Sequence, residues 1–259
     1  MRHGRMTRTA IALLATAAIG VAGCGTNGGS ATPDGTGTPT NSSPTPGGTA
    51  AADAREALVA AAMKLGEQSV RMQLTMTGMT GSGVMDPKTR MVQMTLDMGS
   101  QQDMELRALG NDVYMKMPVL TGEKWMHIDV TKYNDGANLD FMPDGDPGSA
   151  AKTMENVVDV ERTADGRFTG TIDMTKAEGV NGGAAALLGE KARAVPFTAT
   201  VDAEGRLTSF EVDMSGINSA AGKMTTTYSD FGTPVDVQRP PADQIQEAPA
   251  TIPGFTGGN

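Results

Sequence analysis

Val70-Arg71-Met72-Gln73-Leu74-Thr75-Met76 alternates apolar and polar side chains without a break. Successive side chains of a strand point to opposite faces, so this spacing predicts a β-strand with one dry and one wet face. The pattern returns in Val92, Met94, Leu96 and Met98, and in Met104, Leu106 and Ala108. After a hairpin turn at Gly110-Asn111 it continues in Val113, Met115 and Met117. Lys124 to Asp129 sets Trp125 and His127 on one side, with Met126 and Ile128 on the other. Further strands are expected at Val157-Val158-Asp159-Val160 and through Phe168, Gly170, Ile172 and Met174. Three more follow, through Phe197, Ala199 and Val201; Phe210, Val212 and Met214; and Met224, Thr226 and Tyr228. Glycines 78, 81 and 83 read as a break before the turn at Asp86-Pro87-Lys88. About ten short strands alternating this way suit an antiparallel sheet with one buried face, and so many in one sheet must twist and curl.

Helical spacing is rarer. Asp53 and Glu56 resemble a helix-start pattern, and Leu58, Ala61, Ala62 and Leu65 share one face of a helix over Ala54 to Gln68. A short helix is expected from Ser149 to about Asn156. Residues 175–193 make a poor one, because Gly179, Gly182, Gly183 and Gly189 interrupt them. The stretch from Tyr133 to Gly148, rich in Asp, Asn, Gly and Pro, reads as a loop carrying Leu139, Phe141 and Met142. The expected fold class is α+β: a curled antiparallel sheet, half-barrel in shape, with helices packed on its concave face.

Strand parity puts Met72, Leu74, Met76, Val92, Met94, Leu96, Met98, Met104, Leu106, Val113, Met115, Met117, Phe168, Ile172, Phe197, Val212 and Met214 on the inner face. Methionine is the unusual element: the chain holds 19, while only 4% of its residues are aromatic. Met is flexible and polarizable and adapts to irregular apolar partners, whereas sheets ordinarily prefer Val, Ile and aromatics. One reading is a face that contacts mobile lipid chains. Another is a plain core in which Met replaces Leu. A third is Cu(I) held by the thioethers of Met115 and Met117, a site that no His or Cys cluster supports.

The N-terminus carries a separate message. Arg2, Arg5 and Arg8 precede an apolar run from Ala10 to Ala22, too short to span a bilayer, which takes about 20 residues. Val21-Ala22-Gly23-Cys24 closes that run with the one cysteine of the chain. Small residues directly before a lone Cys resemble the bacterial lipoprotein signal, in which the thiol takes a diacylglycerol and cleavage leaves Cys24 first. The alternative is an ordinary signal peptide with a chance cysteine. The expected organisation is a signal peptide over 1–23, a lipidated Cys24 with a disordered Gly/Thr/Pro/Ser tether to residue 52, a folded domain over 53–240 and a flexible tail over 241–259. As a flexible coil the tether's ends would lie on the order of 30 Å apart.

Charge and missing chemistry narrow the function. The net charge of -9 becomes -12 once the three arginines of residues 1–23 are gone. Nucleic acid is therefore excluded as a partner, since its phosphates are bound by Lys and Arg. Attachment to a membrane is assigned to acyl chains on Cys24. His127 is the only histidine after the signal segment, and parity makes it a surface side chain rather than a catalyst. No G-x-S-x-G elbow, phosphate-cradling glycine loop or His/Cys zinc set is present. Asp135, Asp140, Asp144 and Asp146 crowd one loop without the EF-hand spacing. No catalytic residue, metal or cofactor is assigned, although a pair of carboxylates remains conceivable for a hydrolase.

The region 53–240 resembles the LppX/LprG-type lipoproteins of actinobacteria, related in fold to the LolA/LolB lipoprotein carriers. The resemblance rests on the lipobox and tether, and on the helix before the first strand. It rests also on Gly110-Asn111-Asp112-Val113-Tyr114 leading to Lys124-Trp125-Met126-His127-Ile128-Asp129, and on the ending Tyr228-Ser229-Asp230-Phe231-Gly232-Thr233-Pro234-Val235-Asp236-Val237. It implies a half-barrel whose apolar cavity takes acyl chains of lipids or glycolipids. It implies a non-enzymatic carrier, palmitate-type lipidation at Cys24, a place on the extracytoplasmic face of the cell membrane and an envelope transporter as partner. The competing expectation is a protein-interaction or sensory lipoprotein with a filled core and no ligand cavity.

Overall fold

The computed structural model describes residues 46–99, 103–132, 142, 145–177 and 189–249. The signal segment, Cys24, most of the tether and most of the 133–148 loop lie outside them, as do residues 178–188.

Helix α1 (Pro46–Met63) leads into the strands β1 (Val70–Met76), β2 (Met79–Asp86), β3 (Met91–Asp97), β4 (Met104–Leu109) and β5 (Asp112–Lys116). A one-turn helix α2 (Pro118–Thr121) precedes β6 (Trp125–Asp129). After α3 (Ala150–Glu155) come β7 (Val157–Ala164), β8 (Arg167–Ile172), β9 (Val195–Val201), β10 (Leu207–Asp213), β11 (Lys223–Ser229) and β12 (Ile245–Glu247). The described strands form one 12-stranded sheet in the order β12-β6-β5-β4-β3-β2-β1-β11-β10-β9-β8-β7. Two meanders, β1–β6 and β7–β11, are thus joined through the antiparallel pair β1–β11. The ends β12 and β7 do not meet, so the sheet is an open, curled half-barrel. The α+β expectation holds, with more strands than the sequence suggested.

Helices close one side of the inner face. Ala54, Leu58, Ala61, Ala62 and Leu65 are all at most 4% exposed and share one core cluster with Val160, Phe168, Phe197 and Phe210 of the sheet. This is the apolar stripe the spacing predicted. The helix opens at Pro46 rather than Asp53, with proline in its first turn, where a missing N–H costs nothing. Asp146 caps α3 by accepting the backbone N–H groups of Ala151 and Lys152 at 3.0 and 3.1 Å. Arg55 of α1 donates to the Glu155 carbonyl at the end of α3.

Further readings change. β2 is a full strand across Gly81 and Gly83. A Cβ on Gly83 would stand 2.6 Å from the Gln93 carbonyl and one on Gly81 2.6 Å from Leu96 Cδ2, so the glycines admit close neighbours rather than breaking the strand. Met174 and Met214 do not continue their strands but open short 3-10 turns. Asp173 and Asp213 fix those turns by accepting Thr175 N–H and Ser215 N–H, each at 3.0 Å. Finally, the chain after Pro240-Pro241 is no loose tail over 242–247. It forms a 3-10 turn and then β12, parallel to β6.

The C-terminal segment crosses the outer face to reach that position. Gly232 N–H donates to the Ser69 carbonyl at 2.8 Å, and Arg107 donates to the Gln238 carbonyl at 2.9 Å. Ala248 N–H donates to the His127 carbonyl at 2.8 Å. Arg239 lies over the Tyr114 ring and Arg107 over the Trp125 ring.

Candidate functional site

The register resolves the inner face into rows running across the strands. One row, Val70, Met85, Val92, Ala108, Val113 and Ile128, is closed core, each residue no more than 5% exposed. Further along the strands the face opens. Met72 pairs with Gly83 and Tyr228, Gly83 with Met94, and Met94 with Leu106. In the next row Leu74 pairs with Gly81 and Thr226, Gly81 with Leu96, and Leu96 with Met104. In the row after that Met76 pairs with Met79, and one further step of register sets Met98 and Met224 to either side.

Burial separates the parity-predicted residues into two sets. Val92, Leu106, Val113, Met115, Phe168, Ile172, Phe197 and Val212 are each at most 3% exposed, sealed by protein on every side. Met72, Leu74, Met76, Met94, Leu96, Met98, Met104, Met117 and Met214 are half-buried. The second set lies on β1, β3 and β4 and just past the ends of β3, β5 and β10, on strands that neighbour one another through β2 and β11. Among them Leu74, Met76, Leu96, Met98 and Met117 stand outside the buried core cluster and the side chains packed on it. Met79 belongs to this surface and was missed, because its strand read as broken. The surface carries no charged side chain on these rows. Its polar groups are the Thr226 and Tyr228 hydroxyls, and burial, with the Asp146 carboxylate adding to it, pushes the Tyr228 phenol upward. Such a surface can hold apolar matter of variable shape.

The titratable groups gather elsewhere. His127 is 8% exposed, against the surface position parity assigned it, because the C-terminal segment covers the outer face at β5 and β6. Its Nε2 lies 2.6 Å from Asp112 Oδ1 and its Nδ1 2.9 Å from Glu247 Oε1, and its ring stacks on Tyr114 with centroids 4.9 Å apart. Burial pulls the imidazole pKa down, but the hydrogen bonds to Glu247 and Asp112 outweigh it and hold the ring above its ordinary value. Its two nitrogens point at carboxylates on opposite sides, so the three groups do not converge on one point. Among the described residues no cluster of three or more His, Cys, Asp or Glu is arranged to hold a metal. The geometry is that of a clasp tying β12 to β5 and β6.

Two clefts also lie on the described surface. A groove of about 280 Å³ crosses β1–β3, lined by Gln73, Thr75, Thr80, Ser82, Thr95 and Asp97 together with Leu74 and Gly81. A second, of about 300 Å³, lies between α1 and the turns of β7–β10, beside Lys64, Arg162, Phe168 and Asp202. Lys64 there donates to the Glu204 carbonyl at 2.5 Å, and Arg162 lies over the Phe168 ring.

No helix of the described residues is long and apolar enough to cross a membrane. No protein-family model and no curated protein matches the chain. Among solved structures the chain is similar to the Mycobacterium tuberculosis lipoprotein LppX, with 16% identity and a TM-score of 0.46. The match covers 72% of this chain and 99% of that one.

Proposed function

We propose that the chain is a non-enzymatic lipid carrier of the envelope, holding acyl chains of a lipid or glycolipid on the methionine-lined centre of its inner face. The observation that carries this is the half-buried surface from Met117 to Met214, whose described rows bear no charged side chain, set between closed core on β6 and on β9. A core needing only stability would have sealed these positions as it sealed Val92, Phe168 and Phe197. Flexible thioethers adapt to chains that differ in length and kink. In the same reading Cys24 carries the acyl anchor and holds the domain at the extracytoplasmic face of the cell membrane, where an envelope transporter supplies or removes the cargo.

Binding of cis-parinaric acid to the full chain carrying Cys24→Ser tests this. Saturable enhancement of its fluorescence is expected, reversed by phospholipid and reduced at least about tenfold in affinity by Met76→Asp with Leu96→Asp. Both positions are half-buried, so the variant should still fold, which circular dichroism checks. Failure of the probe to bind, or equal binding by the folded variant, refutes the proposal.

A further inference from the structure

We infer that the one-turn helix α2 is a docking tip that enters the surface of an anionic lipid bilayer. The inference rests on the acyl-binding reading above for its purpose, and on the following geometry for its evidence. Val119 and Leu120 are 63% and 59% exposed, side by side in the turn between β5 and β6. Met63 and Val158, the other large apolar side chains exposed on described residues, each stand beside a charged residue, Lys64 and Asp159.

The exposure is built in. Thr121 is 7% exposed, and its hydroxyl accepts Met117 N–H at 3.1 Å and donates to the Met117 carbonyl at 3.1 Å. Leu120 N–H and Thr121 N–H both reach that same carbonyl at 2.8 Å. Pro118 fixes the first helical position, and Gly122 ends the turn at φ 60°. A turn pinned this firmly cannot fold its two apolar side chains back onto the protein, so water faces them until something else does.

Position and charge indicate a bilayer as the occupant. Met117, which opens the turn, is the β5 end of the half-buried inner surface. A chain leaving a membrane at Val119 and Leu120 therefore reaches the thioethers without crossing open water. The tip is flanked by Lys116, which is ion-paired with Glu123 at 3.7 Å, and by Lys124, which brings a positive charge to its edge in a chain of net charge -9. Two exposed apolar side chains with Lys124 beside them suit the interface of an anionic bilayer.

The test uses the full chain carrying Cys24→Ser, which removes both the lipid anchor and the only thiol. Leu120→Cys then carries an environment-sensitive nitrobenzoxadiazole label, and Thr198→Cys on the outer face carries it in a control. Vesicles of equal parts phosphatidylcholine and phosphatidylglycerol are added. The label at position 120 is expected to shift to the blue and brighten, and the label at position 198 to stay unchanged. Val119→Asp with Leu120→Asp is expected to cut co-flotation with the same vesicles by roughly tenfold or more while melting at the unchanged temperature. No response at position 120, or an equal response at both positions, overturns the inference, as does unaltered flotation of the variant. Parinaric acid binding by the same protein separates the two claims. Binding without a shift at position 120 refutes the tip alone, and a shift without binding refutes the acyl site and leaves the tip.

Discussion

Met76 of β1 sits directly opposite Met79 of β2 on the inner face, both half-buried. The pair marks the point where the sheet stops behaving as a core. A few strands away, Val212 and Phe197 occupy corresponding inner positions at 1% and 3% exposure. Since neither methionine is sealed, changing the pair to Leu should leave stability within about 1.5 kcal/mol. Urea denaturation measures this, and a loss several times larger would show the pair to be structural core.

The glycines beneath that surface should not be equivalent. Gly83→Ala would drive a Cβ to 2.6 Å from the Gln93 backbone carbonyl, which cannot move without distorting β3. Gly81→Ala meets the end of the Leu96 side chain, which can turn away. The expected order is a loss of about 2 kcal/mol or more for Gly83→Ala and a clearly smaller one for Gly81→Ala. Equal melting temperatures for the two variants would contradict it.

Leu58 is 0% exposed and anchors α1 to the sheet. Leu58→Ala should cost about 2–5 kcal/mol by chemical denaturation, because the cavity lies between a helix and a strand layer that cannot both relax. A cost below about 1 kcal/mol would mean that α1 is not packed as described.

Asp173, 6% exposed, accepts both Thr175 N–H and the Thr175 hydroxyl, and the hydroxyl's hydrogen bond is the largest of the influences that lower its pKa. A lowered folded-state pKa adds stability above the unfolded value, which is lost as pH falls through the folded value. Asp173→Ala should therefore destabilise the protein by about 1–2 kcal/mol near neutral pH, with the difference shrinking in acid. A pH-independent difference would contradict this.

The clasp at His127 has the opposite sign. Its folded pKa lies above 6.5, so the charged ring contributes stability fully below that value and loses it as pH rises through the folded pKa. His127→Gln should be most destabilising on the acid side, and Glu247→Gln should weaken the same pH dependence. Hydrogen exchange at the β12 amides should quicken in both variants. Exchange unaffected by either change would show that β12 is held without the ring.

What the sequence disclosed follows from physical range. Alternation in β1, β3, β4, β5 and β10 is a local property, and the strands appear where it placed them. Leu58, Ala61, Ala62 and Leu65 likewise announced the buried face of α1. β2 stayed hidden because Gly81 and Gly83 serve neighbours that only the register reveals. His127 read correctly as outer-face and wrongly as exposed, since its cover comes from residues 120 positions away that lack any periodicity. The parity list could not tell sealed from half-open positions, because that difference depends on where the helices lie and not on strand spacing.

Native mass spectrometry of the full chain carrying Cys24→Ser, isolated from an actinobacterial host, tests the central claim most directly. The account predicts a co-purifying lipid of defined mass that disappears when Met76 and Leu96 are both changed to Asp in a folded protein. A chain that emerges empty and stays empty when lipid is added would contradict it.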